Sequence, residues 1–180
     1  QNIADLKVQQ IEDWLAERSA DAEMIQNDAS LLDAVMRWQR QANRENRLRI
    51  QAVLDSPQRG HGYYALSLIS ADGKDTLRSS NAPETLAQEI LAAIPDSLNK
   101  QRIARVGPYR DGSEQIRLGY VIPLHTGQKP SPIAILHVDP GAKLFPLVQS
   151  WPVPSSSGET AIFRRDGDYV LFLNQLRHRE

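Results

Sequence analysis

The sequence predicts an α+β fold: a long N-terminal helix, an antiparallel five-stranded sheet covered by helices, and a partial second module. Three observations predict it. No Gly or Pro occurs before Pro57, and apolar residues recur there every three or four positions, the period of a helix with one buried face. From Tyr63 onward short β-rich runs alternate with turn residues. Near the C-terminus a Pro/Ser-rich stretch, Trp151 to Gly158, separates a last hairpin from the rest.

In the helical part, Ile11, Leu15, Arg18, Ala22, Ile25, Ala29, Leu32 and Met36 form the stripe, and Ile3, Leu6 and Trp14 broaden it. Asn27-Asp28 marks a break. Ser30 is then expected to cap a second helix, with Asp33 at the capping-box position. Leu48, Ile50, Val53 and Leu54 resume the apolar pattern, which ends at Ser56-Pro57 and Gly60.

Tyr63 to Ile69 reads as the first strand and Thr76 to Ser79 as its short return, joined by a tight turn at Ala71-Asp72-Gly73-Lys74. Asn81 and Pro83 are expected to open a helix with Leu86, Ile90, Leu91 and Ile94 on its apolar face, because Pro in a first turn loses no hydrogen bond. Three further strands follow at Arg102 to Pro108, Gln115 to His125 and Pro132 to Val138, stopped by Asp139-Pro140-Gly141. Runs of strands and helices in this order make an α+β layer. Leu144 to Val148 is a short connector, helical after Pro146. Thr160 to Arg164 and Tyr169 to Leu173 form a hairpin around Arg165-Asp166-Gly167-Asp168. A lone hairpin is marginally stable, so it is expected to dock or to begin a second domain.

Composition narrows the function. The chain has 180 residues, 21 basic and 22 acidic, for a net charge of -1. Nucleic acid is therefore not expected as the main partner, since phosphate binding needs a net positive face. The sequence contains no cysteine, which excludes disulfides and thiolate metal sites. No run of about 20 apolar residues could span a membrane. Starting at Gln1 and ending mid-pattern at Glu180, the chain reads as a piece of a longer protein, with any signal or membrane segment outside it.

Catalytic motifs are absent. There is no G-x-S-x-G elbow, Walker A loop or G-x-G-x-x-G turn, so no enzyme activity and no cofactor are expected. His61, His125, His137 and His178 show no metal-ligand spacing. His137 and Asp139 share a strand face, and a structural or ligand-contacting histidine is favoured there over a metal ligand. Asp166 and Asp168 are turn formers before they are calcium ligands. Arg37, Arg40, Arg44, Arg47 and Arg49 are interleaved with polar residues, and a solvated helix face is favoured over an anion site. The loop Gly107-Pro108-Tyr109-Arg110-Asp111-Gly112 places a phenol, a guanidinium and a carboxylate side by side. Such a cluster can clasp a small polar ligand through charge-assisted hydrogen bonds, and a plain charged hairpin loop is the competing reading.

These pieces, in order, resemble the double-Cache (PDC, PAS-like) periplasmic sensor domains of bacterial histidine kinases, diguanylate cyclases and chemoreceptors. The resemblance rests on the long helix with Lys7 to Arg18, the strand from Gly62 into Ser70-Ala-Asp-Gly-Lys74, the Gly107-Pro-Tyr-Arg-Asp111 element, the strand ending Val121 to Leu124, and Ala134 to Asp139 closing the sheet. It implies a helical stalk over 1–60, a membrane-distal module over 61–140, a linker over 141–158 and the truncated start of a membrane-proximal module over 159–180. Amino-acid-binding relatives use a tyrosine and an aspartate in a P-Y-x-D loop and an aspartate closing the last strand, matched here by Tyr109, Asp111 and Asp139. They also carry an Arg-x-Trp-Tyr element, which Ala82 to Leu98 lacks. Arg102, Arg105, Arg110 or Arg117 would substitute in a site for an organic acid. The resemblance thus implies a membrane-anchored extracytoplasmic sensor, without catalysis, binding an organic acid or amino-acid-like ligand through Tyr109, Arg110, Asp111, Arg117, His137 and Asp139. A homodimer through the N-terminal helix is a further expectation. The alternative is a structural or protein-interaction module with no small-molecule ligand.

Overall fold

The computed structural model describes residues 2–56, 63–70, 73, 76–127, 129–150 and 161–173. His61, His178, most of the Ala71–Lys74 turn and the Trp151–Gly158 linker lie outside them. The described chain forms two compact units, one from Arg18–Asp139 and one from Gln1–Glu17 with Pro140–Glu180.

The N-terminal region is three helices: α1 (Ile3–Gln26), α2 (Ala29–Arg40) and α3 (Arg44–Asp55). The break near Asn27-Asp28 is present, but the cap is Asp28, not Ser30. The Asp28 carboxylate accepts the N–H groups of Ser30 (2.8 Å) and Leu31 (3.1 Å), satisfying donors that a helix start leaves unpaired. Asp33 instead accepts from Arg37 at 2.7 Å, one turn on. Restarting the helix resets its phase. The buried face of α2 is therefore Leu31, Ala34 and Val35, not the Leu32/Met36 continuation of the α1 stripe. Asn43 caps α3 by accepting the Asn46 N–H. Ile50 and Leu54 of α3 are buried, while Leu48 is exposed.

The five strands form one antiparallel sheet: β1 (Tyr63–Ile69), β2 (Thr76–Arg78), β3 (Ala104–Arg110), β4 (Ile116–Pro123) and β5 (Ile133–Val138), in the order β2-β1-β5-β4-β3. β5 lies at the centre and is buried along its whole length, as a strand covered on both faces must be. Within the larger unit, α3 packs against β1 and β2. On the other face α4 (Gln88–Lys100) packs on β3 and β4, burying Ile90 against Val106, Tyr109, Val121, Ile133 and Ile135. Ser97 of α4 ties the helix to the sheet by donating to the Arg102 (2.7 Å) and Val121 (3.3 Å) carbonyls.

Two expectations are corrected here. The helix expected to open at Asn81 and Pro83 begins at Gln88. Asp55 accepts both the N–H and the hydroxyl of Ser80 (2.8 and 3.0 Å), and Arg78 donates to the Glu84 carbonyl. These bonds hold the intervening backbone in turns. The loop expected over Gly107–Gly112 is largely strand. β3 runs through to Arg110 with an irregularity between Val106 and Tyr109. Gly107 there has φ +101°, and a Cβ would lie 3.0 Å from the Arg117 carbonyl, so the position requires glycine. Val106 and Tyr109 are three residues apart, and strict alternation would place them on opposite faces. The bulge puts both into the same core.

In the second unit, α5 (Leu144–Gln149) starts before Pro146, after a 3₁₀ turn at Pro140–Ala142. Lys7 donates to the Leu147 and Ser150 carbonyls at the C-terminal end of α5, where a cation complements the helix dipole. Burial lowers the Lys7 pKa. β6 (Phe163–Asp166) and β7 (Tyr169–Phe172) form the expected hairpin.

Candidate functional site

Register builds the site. Tyr109 pairs with Arg117, and Gly119 pairs with both Val106 and His137. Residues paired across strands share a face, so Tyr109, Arg117, Gly119 and His137 all face the α4 side. Along this face the apolar core under α4 ends where Tyr109, Arg117 and His137 begin. A cavity of about 200 Å³ lies there, walled by these three residues, by Asp111, Gly112 and Ser113 of the β3–β4 loop, and by the Pro83–Ala87 region. Liquid water takes about 30 Å³ per molecule, and drug-sized sites begin near 300 Å³. The cavity therefore suits a small ligand.

Arg117 is the centre of the electrostatics. Its Nε donates to Asp111 Oδ2 at 2.9 Å, and its Nη1 lies 2.8 Å from Asp139 Oδ2. Burial alone would lower the pKa of Arg117, but Asp139 and Asp111 outweigh it and raise the value. Asp111 serves two purposes. Its Oδ1 accepts the N–H groups of Ser113 (2.8 Å) and Gln115 (3.0 Å) and so shapes the loop. Its Oδ2 faces Arg117. Burial pushes its carboxyl up, but the Gln115 and Ser113 N–H bonds and the guanidinium bring it below the usual range.

His137 is almost fully buried, with Nε2 3.0 Å from Ser67 Oγ of β1. Burial, with the nearby Arg117 charge, pushes its pKa down to about 4. It is neutral at pH 7. No group of three or more His, Cys, Asp or Glu with metal-site geometry exists among the described residues.

The site thus brings together Tyr109, Asp111, Arg117 and His137, with Asp139 behind Arg117. Arg110 points elsewhere. It donates to the Glu114 carbonyl at 3.1 Å, is exposed, and is not a cavity wall. Sequence reasoning missed Glu84 and Thr85, which it placed inside a helix, and Ser67. A polar residue amid the apolar positions of β1 was the one signal for Ser67.

No protein-family model matches the chain, and no characterised protein matches it by sequence. Among solved structures, the sensory domain of the Campylobacter jejuni chemoreceptor Tlp3 (CcmL) with isoleucine bound is similar, with TM-score 0.61, 18% identity, and 83% of this chain and 61% of that one covered. The ligand-binding domain of Mlp24 with asparagine matches at TM-score 0.39 and 16% identity over 77% of this chain and 61% of that one. At that score it adds nothing to the fold assignment. The first likeness defines the class of fold: α+β, with a long N-terminal helix and a five-stranded antiparallel sheet, the fold that this chain shares with that sensory domain. The chain spans 61% of the length of that sensory domain.

Proposed function

We propose that this chain is the extracytoplasmic sensor part of a membrane-anchored signalling protein, of the double-Cache type, and that it binds a small polar molecule without transforming it. The domain plan is the one given above: a helical stalk over 1–60, a distal sensor module over 61–140, a connector over 141–158 and the start of a proximal module over 159–180. Tyr109, Asp111, Arg117 and His137 contact the ligand, and Asp139 holds Arg117 in place. Arg110 secures the loop from outside.

One observation carries this reading: a nearly buried arginine, charged and bonded to two aspartates, forms the wall of a cavity. Stability alone does not call for it, since well-packed apolar residues usually serve a core as well as a buried ion pair or better. A ligand that binds one arrangement of the β3–β4 loop better than another shifts the population toward it, and transmission through the helices follows from that bias.

The test is a thermal-shift screen of the purified chain against small amines, amino acids and carboxylic acids. A ligand at a hundred times its Kd stabilises the fold by about 2.7 kcal/mol, which moves the melting temperature by several degrees. A broad library without a single hit defeats direct small-molecule sensing and leaves the interaction-module alternative.

A further inference from the structure

We infer that the arginine-rich corner between α2 and α3 is a docking surface, and that its occupant is the acidic face of α1 in a second copy of this chain. It departs from a homodimer in which the N-terminal helix pairs with itself, and it does not depend on the cavity or on any ligand.

Residues 37–49 contain five arginines and one glutamate, a net charge of +4 in a chain whose total is -1, so the remainder is at -5. Arg37, Arg40, Arg44, Arg47 and Arg49 are all exposed. Two of them are accounted for locally: Arg37 pairs with Asp33 at 2.7 Å and Arg49 with Glu45 at 3.6 Å, each within its own helix. Arg40, Arg44 and Arg47 form no ion pair among the described residues. Helix formation does not call for Arg44 and Arg47 either. They stand at the start of α3, where the helix dipole favours anions and disfavours cations. The corner itself is braced. Asn43 caps α3, and the Asn46 side chain donates to the Gln41 carbonyl at 2.8 Å and the Arg37 carbonyl at 3.4 Å. The backbone that carries the guanidinium groups therefore needs no ordering on docking. Arg44, Arg47 and Leu48 fall at i, i+3 and i+4 on one face of α3, and Leu48 is 63% exposed. An exposed apolar side chain bordered by arginines has the make-up of an interface centre with its polar rim.

α1 offers the complement. Its exposed charges are all negative: Asp5, Glu12, Asp13, Glu17 and Glu23. Its two cations, Lys7 and Arg18, are buried. Asp5, Val8, Glu12 and Glu23 follow one another at 3, 4 and 11 residues and so share a helix face. Val8 is 53% exposed. Both surfaces thus combine exposed charge with an exposed aliphatic side chain, and the charges are of opposite sign. α1 against α1 would bring carboxylates to carboxylates with no exposed cation on either helix, and like charges juxtaposed across an interface are penalised. Arginine suits the opposite arrangement, because its planar fork matches a carboxylate bidentately.

The experiment is sedimentation velocity on the whole chain over a concentration series, at about 50 mM and about 500 mM salt, since the screening length shrinks between them. The expected result is self-association at low salt that weakens about tenfold or more at high salt. Two sets of charge reversals complete it. Arg40→Glu, Arg44→Glu and Arg47→Glu together remove the corner, and Glu12→Arg with Glu23→Arg removes the α1 face. All five side chains are exposed, and far-UV circular dichroism checks that each variant keeps its helices. Each set alone is expected to leave the chain monomeric at low salt. The five changes combined in one chain exchange the two charges and are expected to restore association. A chain that is monomeric at every concentration and salt overturns the inference and leaves the arginines to a different acidic partner. Association that persists in the arginine variant, or that the five combined changes fail to restore, overturns it too. The sensor reading stands in each case, since no ligand enters the test.

Discussion

The sheet face beneath α4 has two ends, and they are built differently from the same strands. At one end the side chains of Ile90, Val121, Ile133 and Ile135 pack in one apolar cluster. At the other, two positions past Ile135 on β5 and four from Val121 on β4, His137 and Arg117 are also buried but charged or hydrogen-bonded. The apolar end needs only volume. The polar end needs partners, and it recruits them from three separate elements: Ser67 of β1, Asp111 of the β3–β4 loop and Asp139 beyond β5. A fold that only had to be stable could have continued the first pattern. On the proposed reading, the change of pattern marks where the molecule gives up packing for ligand contact.

The sharpest way to break this comparison is to cut one residue from each end. Arg117→Leu leaves two carboxylates without their cation and is expected to cost about 3 kcal/mol at pH 7, the low end for broken buried pairs. It lies at the low end because Asp139 keeps a third of its side chain in water. Ile90→Ala removes a fully buried side chain and is expected to cost about 3 kcal/mol as well. Urea unfolding at pH 7 and pH 4 separates the two. The Arg117 loss shrinks at pH 4 as the orphaned carboxyls protonate, whereas the Ile90 loss stays constant. Identical pH responses would mean the two ends do not differ in kind.

Acid titration probes the polar end alone. His137 has a folded value of about 4 against an ordinary 6.5. Between those values the unfolded chain binds more protons, so stability falls as pH drops from 6.5 to 4 and levels off below that. The loss approaches about 3 kcal/mol at 1.36 kcal/mol per unit. Asp111, held below its usual range, contributes stability above the ordinary carboxylate value that is lost as pH falls through its lower folded value. His137→Gln is expected to flatten the step above pH 4 and to leave the one below it. An unchanged slope in that variant would remove His137 from the account.

The smallest effect lies at the boundary between the ends. A Cβ on Gly119 would fall 2.3 Å from Ile90 Cδ1 and 3.6 Å from the Tyr109 ring. Gly119→Ala is expected to cost about 1 kcal/mol, since the Ile90 tip can turn aside. The additional change Ile90→Val should recover part of that loss in thermal melts.

The two ends were not equally legible in the sequence. The strands, their order of appearance and the apolar end followed from period and turn residues, because alternation is a local property. Tyr109, Asp111, Arg117, His137 and Asp139 were singled out too, the first two by a loop motif and Arg117 as one of several arginines. Their mutual arrangement was not legible. A one-residue irregularity at Gly107 decides which face Tyr109 takes, and no period reveals it. The pairing of Arg117 with Asp111 and Asp139 depends on sheet register between distant segments. The Pro83–Ala87 wall was misread because Pro suits a helix start, while the bonds that hold the segment in turns come from Asp55 and Arg78. Asp28 prevailed over Ser30 because both are good caps and only the backbone trace chooses between them.

Asp139 is the last residue of the unit that holds the cavity, and Pro140 is the first of the stretch that belongs to the other unit. The carboxylate that steadies Arg117 is therefore bonded, through its own main chain, to the point where the polypeptide crosses over. Proline follows at once and itself opens the 3₁₀ turn Pro140–Ala142. On the proposed reading, a ligand that altered the grip of Asp111 on the guanidinium would be felt at Asp139 as well, because one cation serves both carboxylates.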